Sequence, residues 1–395
     1  MKKFFYLFVM GTLMAACAGR SNSGQRERTP GELEAIEDSL EYAAALADQA
    51  RIRVSVQAAA ETAPVPSVAG EDAADDPAIW YNAVQPEQSR IIGTDKKGGL
   101  AIYNLAGEEL QYYALGRINN VDVRYGFELN GQKVDVVAAS DRSLNTVRLL
   151  TITADTLVEV GTPLVKLDPS VVDEPYGLCM YRHKPDNSFY VFVGGKDGGV
   201  QQLRLKASGD SIELEKVRAL RVATQAEGMV ADDETGLFYL AVEEGGIHKF
   251  AAAPDGGTRS EVLPMSHGRD NTALVADLEG LDVYYGRDGK GFLIVSSQGN
   301  FSYALFDREA PHAYLGSFKI VSGTFDGVEE TDGLSIFNGA LGEQFPKGLL
   351  VVQDGFNRAG DSALPQNFKL VDLMVLDGAL QEALPLAPDY LDWMK

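Results

Sequence analysis

The sequence predicts an all-β protein, a six-bladed β-propeller preceded by a tether and a short N-terminal helix. The first observation is a repeat: β-rich runs recur at intervals of about 45 to 55 residues, a length typical of propeller blades. Each run ends in a charged or amide cluster and a small turn, at residues 93–100, 139–142, 194–200, 242–246, 296–300 and 352–355. Because every blade presents this turn at the same end of the ring, we expect the clusters to converge on one site.

Further patterns support the blades. Lead-in segments such as Glu227-Gly228 and Glu279-Gly280 place a polar residue and a glycine before alternating apolar positions. We expect each glycine to permit a close approach that a side chain would block. Alternation of Val54 and Val56 predicts a strand that closes the ring by joining the last blade. Apolar runs predict outer strands of packed sheets at 189–193, 238–242, 292–295 and 349–352.

The N-terminus has the pattern of a secretion signal. Lys2 and Lys3 precede an apolar run over residues 4–14, and small residues then precede Cys17. This pattern resembles a bacterial lipobox, so we expect a signal peptide over 1–16, cleavage before Cys17 and lipidation of its thiol. Residues 17–52 would form a lipid-anchored tether and helix, and residues 53–395 the propeller.

The anchor predicts an exported protein, an outer-membrane lipoprotein facing the periplasm or the cell exterior, with the lipid as its only membrane contact. Within the tether, Thr29 and Glu32 have capping-box spacing around Pro30 and predict a helix of roughly 20 residues. Cys179, the other cysteine left after cleavage, is expected to be a buried core thiol.

The composition limits the partners. The chain has 395 residues, 45% of them hydrophobic, and a formal net charge of −22. This charge argues against nucleic acid or an anionic membrane surface as a partner. An anionic substrate would need a local positive field. We expect one propeller domain and a monomer.

Acidic residues in the repeats predict a metal site. They are Asp75, Asp76, Glu227, Glu243, Glu244, Asp277, Glu279, Asp326 and Asp332. Carboxylates brought together without cations repel one another and raise one another's pKa values. Because only oxygen ligands are present, Ca²⁺ fits better than Zn²⁺, Cu²⁺ or Mg²⁺, and we expect several ions. The alternative interpretation is solvated loops in an acidic protein.

Four cations at equivalent turns predict an anion site: Lys96, Lys97, Arg142 and Lys196. The lysines lie in glycine-flanked turns that let an anion approach the backbone, and an arginine can hold a phosphate with two hydrogen bonds. The alternative is salt bridging to neighbouring carboxylates, which would not require the glycines. The histidines lack metal-ligand spacing, and no covalent nucleophile is evident.

Several strings resemble the β-propeller phytases. They are residues 75–80, 92–100, 119–126, 277–281 and 296–300, and the resemblance extends over about residues 54–375. It implies a six-bladed, calcium-dependent phosphatase of the 3-phytase type. The implied substrate is phytate (myo-inositol hexakisphosphate) or its calcium salt, and the products are orthophosphate and lower inositol phosphates. The expected nucleophile is a metal-bridged water, without a phosphoenzyme.

The resemblance also implies roles for individual residues. Calcium ligation falls to Asp75, Glu227, Glu243, Asp277, Glu279 and Asp326. The cleavage site takes Lys96, Arg142, Tyr176 and Lys196, with Glu227 in the catalytic set. An adjacent affinity site takes Lys97 and Asp332 and shares Lys196 and Glu243. Further candidates for calcium or structural contacts are Asp76, Gln298, Asp354 and Asn357.

The chain departs from the family pattern at Asp141, at residues 328–330 and at Phe356. These departures bear on the affinity site and on the pH dependence. Two other functions stay open: a calcium-dependent propeller lactonase or other hydrolase, and a non-catalytic binding propeller of the cell envelope. The four cations separate a phosphatase from both, because neither alternative requires them.

Overall fold

The computed structural model describes residues 29–161 and 164–384. The predicted signal peptide, Cys17 and the tether up to residue 28 lie outside the described residues. The chain divides into two compact units, Met1–Ala43 and Ala44–Lys395. In the part of the chain that the structure describes, no helix is both long and apolar enough to cross a membrane.

The predicted helix is confirmed as α1 (Pro30–Gln49). A capping box closes its first turn. Thr29 Oγ1 accepts a hydrogen bond from the Glu32 amide at 3.3 Å, and the Glu32 carboxylate accepts one from the Thr29 amide at 2.8 Å. These reciprocal bonds satisfy amide donors that the first turn of a helix leaves without partners. The spacing of the two residues therefore fixes where the helix begins.

Two short strands, β1 (Val54–Val56) and β2 (Ala60–Glu61), precede three consecutive blades. The first blade contains β3 (Ala74–Trp80), β4 (Arg90–Asp95), β5 (Gly99–Tyr103) and β6 (Glu109–Ala114). The second contains β7 (Ile118–Leu129), β8 (Gln132–Asp141), β9 (Thr146–Thr153) and β10 (Thr156–Glu159). The third contains β11 (Pro175–His183), β12 (Ser188–Gly195), β13 (Gly199–Ser208) and β14 (Ser211–Arg221).

The remaining blades follow the same antiparallel plan. The fourth contains β15 (Ala226–Asp232), β16 (Leu237–Val242), β17 (Gly246–Ala251) and β18 (Glu261–Val262). The fifth contains β19 (Leu278–Tyr285), β20 (Gly291–Ser297), β21 (Ser302–Asp307) and β22 (Tyr314–Ile320). The sixth contains β23 (Leu334–Phe337), β24 (Leu349–Asp354), the hairpin β25 (Arg358–Ala359) and β26 (Ser362–Ala363), and β27 (Asn367–Asp372), followed by α2 (Leu373–Ala383).

The innermost strands contact one another in cyclic order, β3, β7, β11, β15, β19, β23 and back to β3. The predicted six-bladed propeller is therefore confirmed. Its core lies between the blades, where the apolar faces of adjacent sheets pack against each other. Cys179 on β11 is buried in that core, as predicted.

The ring closes through β2 rather than β1, which corrects the sequence prediction. β2 pairs antiparallel with β27 as the outermost strand of the sixth blade. β1 instead pairs in parallel with β22 and adds a fifth strand to the fifth blade. The reason is packing: Val54 and Val56 are buried in one apolar cluster with Leu373 and Leu376 of α2, so the terminal helix covers the apolar face of β1.

The apolar runs predicted as outer strands are in fact the second strands of their blades, β12, β16, β20 and β24. They are almost entirely buried, because both edges are paired and both faces meet a neighbouring blade. The true outer strands β6, β10 and β18 are largely exposed. A continuous apolar run therefore indicated burial on both faces, and the predicted outer position was wrong.

A β-bulge interrupts the innermost strand of each of the first five blades near its start. Bulges change the direction of side chains and are frequent beside functional sites. Glycine at the second bulge position lets adjacent blades touch. A Cβ at Gly177 would lie 2.0 Å from the Glu227 carbonyl oxygen, and one at Gly228 would lie 2.0 Å from that of Glu279. The predicted close approach at these glycines is confirmed.

Candidate active site

The strand register gives each blade two equivalent positions at one end of the channel. The first lies two residues before the pair that follows the bulge in the first five blades, or that opens β23 in the sixth: Asp75, Asn119, Tyr176, Glu227, Glu279 and Asp332. The second lies on the second strand side, three residues beyond the other member of that pair: Lys96, Arg142, Lys196, Glu243, Gln298 and Gly355. Because contacts between blades join these positions, the turn clusters converge as predicted.

Three buried glutamates form the acidic centre of this channel mouth. Glu227, Glu243 and Glu279 each place one carboxylate oxygen within 4.8 Å of the other two. Asp75 is also buried, and its Oδ1 has no hydrogen-bond partner among the described residues. Burial, and next the charge of Glu227, raises the pKa of Asp75 well above its ordinary value. The crowding of these carboxylates is what a cation site requires.

Lys96 bridges two of the acidic positions. Its ammonium lies 2.8 Å from Asp332 Oδ2, 3.3 Å from Asp75 Oδ2 and 2.5 Å from Asp72 Oδ1. Burial lowers the pKa of Lys96, but these carboxylates raise it well above its ordinary value. Lys96 is therefore charged. Asp332 was predicted to share an affinity site with Lys97, yet the structure pairs it with Lys96.

The ring of Tyr176 brings two further predicted cations together. Arg142 Cζ lies 6.0 Å and Lys196 Nζ 4.8 Å from the ring centroid. A cation over an aromatic face is stabilised by the ring quadrupole. Arg142 also donates a hydrogen bond to Asn119 Oδ1 at 3.0 Å and pairs with Glu174. The predicted phosphate contacts of the second and third blades are thus neighbours.

Salt bridging, set aside at the sequence level, does occur. Lys97 is half exposed, and its ammonium lies 3.7 Å from Glu71 Oε1. The glycine after it has a packing role instead, because a Cβ at Gly98 would lie 2.0 Å from the Tyr112 hydroxyl. Ion pairs with carboxylates are formed by Lys96, Lys97 and Arg142. The flanking glycines were therefore no argument against ion pairs.

An aspartate holds each of the first two cation-bearing turns. Asp95 accepts hydrogen bonds from the Lys97 amide at 2.8 Å and from the Tyr112 hydroxyl at 2.7 Å. Asp141, predicted to depart from the family pattern, accepts hydrogen bonds from the Ser143 amide at 2.8 Å and from Arg148 Nε at 2.8 Å. Side chains that bond the backbone two residues on are typical of rigid Asx turns. The cations therefore lie in turns whose backbone conformation is stabilised even when no ligand is bound.

Asp326, predicted as a calcium ligand, lies elsewhere. Its Oδ1 pairs with the fully buried ammonium of Lys369 on β27. The same ammonium lies 2.5 Å from Glu61 Oε2 and 3.2 Å from Asp354 Oδ2, and donates to Asn357 Oδ1 at 3.2 Å. These five residues are called the Lys369 cluster. Here a lysine supplies the cation that Asp326 contacts, and the calcium role of Asp326 stays a prediction. Asp354 and Asn357 make structural contacts, one of their two predicted roles.

The other predicted residues surround the acidic centre. Asp76 Oδ2 accepts a hydrogen bond from the Val121 amide at 3.0 Å and so connects the first two blades. Gln298 Nε2 donates to Asp332. Asp277 is half-buried directly before β19 and does not belong to the glutamate group found among the described residues. Asp76 and Gln298 thus make structural contacts, and the ligand role of Asp277 stays a prediction.

Sequence reasoning missed Asn119, which connects the acidic centre to the cations. Its Nδ2 donates to Asp75 Oδ2 at 3.0 Å and to Glu227 Oε1 at 2.5 Å, and its Oδ1 accepts from Arg142. A search for acidic residues passes over an amide. The signal was its position, because Asn119 is the second residue of its strand, as Asp75 and Glu227 are of theirs.

The donors at the mouth fit calcium. Ca²⁺ prefers six to eight oxygen ligands, and carboxylates are its usual protein donors. Glu227, Glu243 and Glu279 are close enough to share one ion, and Asp75 Oδ1 is a buried oxygen without a hydrogen-bond partner in the described chain. Oxygen-only donors of this kind suit a hard cation rather than zinc or copper.

Comparisons with known proteins place the chain in a family. Residues 34–391 match the phytase family. The chain is 42% identical to the 3-phytase of Bacillus subtilis (strain 168) over 322 residues, which cover 80% of this chain and 83% of that protein. The periplasmic gluconolactonase of Pseudomonas aeruginosa aligns with a TM-score of 0.40 at 13% identity, over 58% of this chain and 67% of that one, which is too weak to inform function. The protein belongs to the phytase family, as the resemblance of its motifs predicted.

Proposed function

We propose that the protein hydrolyses the phosphate monoesters of phytate in a calcium-dependent reaction. One observation carries the proposal: a buried group of glutamates lies at the same channel mouth as Lys96, Arg142 and Lys196. The phytase family and the 3-phytase relative supply the substrate class. Phytate carries phosphates on adjacent ring carbons, so cations on neighbouring blades suit it.

Calcium would be held by Glu227, Glu243 and Glu279, with Asp75 Oδ1 as a further donor. When bound, it would neutralise phosphate charge and lower the pKa of the attacking water. Bound calcium would also stabilise the ionised carboxylates, because a cation offsets the repulsion that contributes to the raised pKa of Asp75. A protein with a net charge of −22 needs such a local positive field to attract a dense polyanion.

The chain's own cations would bind and orient the substrate. Arg142 and Lys196, held against Tyr176, would contact the phosphoryl group that is cleaved, with Lys96 beside them. Fixed positive charges stabilise a phosphoryl transition state without reorganisation. Water adds to phosphorus, the bond to the inositol oxygen breaks, and that oxygen takes a proton, so orthophosphate and a lower inositol phosphate leave. Half-exposed Lys97 would hold a neighbouring phosphate.

The leader suggests where this activity takes place. We infer an exported lipoprotein, cleaved before Cys17 and anchored by its lipid to the outer membrane. Growth with a radiolabelled fatty acid should label the wild-type protein but not the Cys17→Ser variant. Equal labelling of both, or of neither, would contradict the anchor.

Release of phosphate from calcium phytate tests the proposed function. Purified protein should release orthophosphate with calcium present and lose essentially all turnover in excess EGTA, and added calcium should restore it. Because calcium binds the folded state, EGTA should also lower the Tm; a ligand at a hundredfold excess over its Kd stabilises by about 2.7 kcal/mol. Turnover that persists in EGTA would overturn the calcium dependence. No release from either phytate or p-nitrophenyl phosphate would overturn the phosphatase and favour the lactonase or the binding propeller.

A further inference from the structure

A carboxylate from outside the two channel-mouth positions occupies the phosphate-binding edge of Arg142. Both Nε and NH2 of Arg142 bond to Oε1 of Glu174. That pair of nitrogens is the side-on fork with which arginine binds carboxylates and phosphates bidentately. NH1 is directed to Asn119 Oδ1 at 3.0 Å. A phosphate that used the side-on fork would have to take it from Glu174.

Glu174 lies on the solvent side of this pair. Its side chain is 37% exposed, whereas that of Arg142 is 11% exposed. The same carboxylate lies 3.2 Å from NH2 of Arg117, itself half exposed. A ligand that enters from solvent therefore meets Glu174 before Arg142, and Arg117 offers the displaced carboxylate a second cation.

Glu174 is an anion at neutral pH. Partial burial raises its pKa, but the hydrogen bond and charge of Arg142, with Lys196 and Arg117, lower it below the ordinary value. Its position follows from the chain: Glu174 directly precedes Pro175 and Tyr176 at the start of β11, so the carboxylate stands beside the ring that carries the two cations.

We propose that Glu174 is an intramolecular competitor for the phosphoryl group at Arg142. In the free protein it occupies the fork, substrate phosphate displaces it, and its return helps to expel orthophosphate. The residue thus weakens phosphate binding and favours product release. This inference rests on the proposed function, because it takes Arg142 as a phosphate ligand.

Binding of inorganic phosphate to Glu174→Gln tests the inference without turnover. The amide keeps the size of the side chain but removes its charge, so residue 174 should occupy the Arg142 fork in a smaller fraction of molecules. Apparent affinity scales with the fraction of protein that is competent to bind. We expect calorimetric titration of the calcium-loaded variant to show phosphate binding about fivefold tighter than wild type. Inhibition by phosphate should strengthen equally, and KM for p-nitrophenyl phosphate should fall without an increase in kcat.

Glu215→Gln is the matched control. Glu215 lies in the same blade, is 48% exposed and pairs with Lys206 at 2.7 Å on the outer strand, so its neutralisation changes net charge equally. We expect wild-type phosphate binding for this variant. Glu174→Asp keeps the charge on a shorter side chain and should fall between wild type and Glu174→Gln.

Three results would overturn the inference. Weaker phosphate binding by Glu174→Gln would mean that Glu174 positions Arg142 for the ligand. Unchanged binding, with an unchanged Tm, would mean that the ion pair does not compete. A raised calcium requirement would assign Glu174 to the metal. A wild-type protein that binds phosphate but hydrolyses no monoester would refute the proposed function alone, because the phosphate titrations would still report on Glu174.

Discussion

Two groups of carboxylates in this propeller solve the same electrostatic problem differently. At the channel mouth, Glu227, Glu243 and Glu279 approach one another within 4.8 Å. In the Lys369 cluster, three carboxylates surround one ammonium that is completely buried. Burying a charge is costly unless a partner charge and hydrogen bonds compensate. The lysine supplies this compensation within the fold, whereas the mouth has donors for a cation from solution.

The two groups also differ in how open their cations are. Lys369 is 0% exposed, and four oxygens from Glu61, Asp326, Asp354 and Asn357 take up its charge. At the channel mouth, Lys97 is half exposed. Arg142 is less exposed than the Glu174 carboxylate that pairs with it, so a ligand from solvent meets Glu174 first. Exposed cations beside the glutamate group are accessible to an anionic substrate, whereas a completely buried cation can only stabilise the fold. The comparison therefore separates function from stability within one blade architecture.

The largest expected effect is on stability, from Lys369→Met. Methionine fills similar space without charge and leaves buried carboxylates without their cation. Breaking a buried pair on one side costs about 3–5 kcal/mol. The midpoint of urea unfolding should fall accordingly, measured in EGTA so that calcium plays no part. Activity per folded molecule in calcium should stay near wild type, because Lys369 lies outside the mouth.

A second substitution sharpens this test. Adding Asp326→Asn to Lys369→Met removes one of the uncompensated charges and should recover part of the lost stability. An unchanged unfolding midpoint in the single variant would refute the view that the ammonium stabilises the cluster. Activity lost in proportion to calcium affinity would instead connect the cluster to the site.

Arg142→Ala should have the next largest effect, on turnover. Removing a fixed electrostatic stabiliser of a transition state typically costs about 10² or more in kcat, near 2.7 kcal/mol. The loss should appear with both phytate and p-nitrophenyl phosphate, because both present the phosphoryl group that is cleaved. Arg204→Ala, on the third blade, is the control and should keep wild-type kcat. A change in KM alone would show that Arg142 binds the ground state and transition state equally.

Much of the fold was predictable, because each repeat contains both a polar, glycine-containing turn and the apolar pattern of a buried strand. Gly177 and Gly228 precede alternating apolar positions in the sequence, and in the structure each glycine lies against a backbone carbonyl of the next blade. Which blade a short N-terminal strand joins was not predictable. Val54 and Val56 pack against α2, at the opposite end of the chain, and alternation alone carries no information about that partner.

The site was predictable where the repeat itself carries the chemistry. Lys96, Arg142 and Lys196 follow the second strands of successive blades, so convergence followed from ring symmetry. Pairing between distant residues was not predictable: the acids around Asp326 gave no sign of Lys369, which comes from another strand. Glu174 was also missed, because it lies outside the equivalent positions and its role depends on the geometry of the Arg142 fork.

A third buried carboxylate, that of Asp282, is bound by backbone amides and should make stability depend on pH. Burial raises the pKa of Asp282 from 3.8 to about 7, and its oxygens accept hydrogen bonds from the amides of Val283 and Ile336 at 2.7 and 2.8 Å. From about pH 4 to about pH 7 the folded protein keeps a proton that the unfolded chain has lost. Stability from this group therefore falls as pH rises through that window and levels off above it.

Asp282→Asn should flatten this profile. Relative to wild type, its free energy of unfolding should rise by about 2 kcal/mol between about pH 5 and pH 8, since each pKa unit is worth about 1.4 kcal/mol. Unfolding by urea at several pH values in EGTA measures it. The amide nitrogen of Asn cannot accept the hydrogen bond that a carboxylate oxygen of Asp282 accepts. That loss of stability does not depend on pH, so it cancels when the slopes of the two profiles are compared. Parallel profiles for the two proteins would refute the raised pKa of Asp282.

The smallest effect should come from Lys97→Ala, and it tests whether the mouth holds two phosphates. Half-exposed Lys97 pairs loosely with Glu71 at 3.7 Å, so a neighbouring phosphate could take its place. The variant should raise KM for phytate about fivefold, near 1 kcal/mol, and leave p-nitrophenyl phosphate almost unchanged, because that substrate has no second phosphate to lose. Lys206→Ala is the matched control, since Lys206 is 48% exposed and pairs with Glu215 on the outer strand. Both substrates are measured on one preparation, so any folding defect affects them equally. Equal impairment of both would place Lys97 at the cleaved phosphoryl group and leave the mouth with one phosphate site.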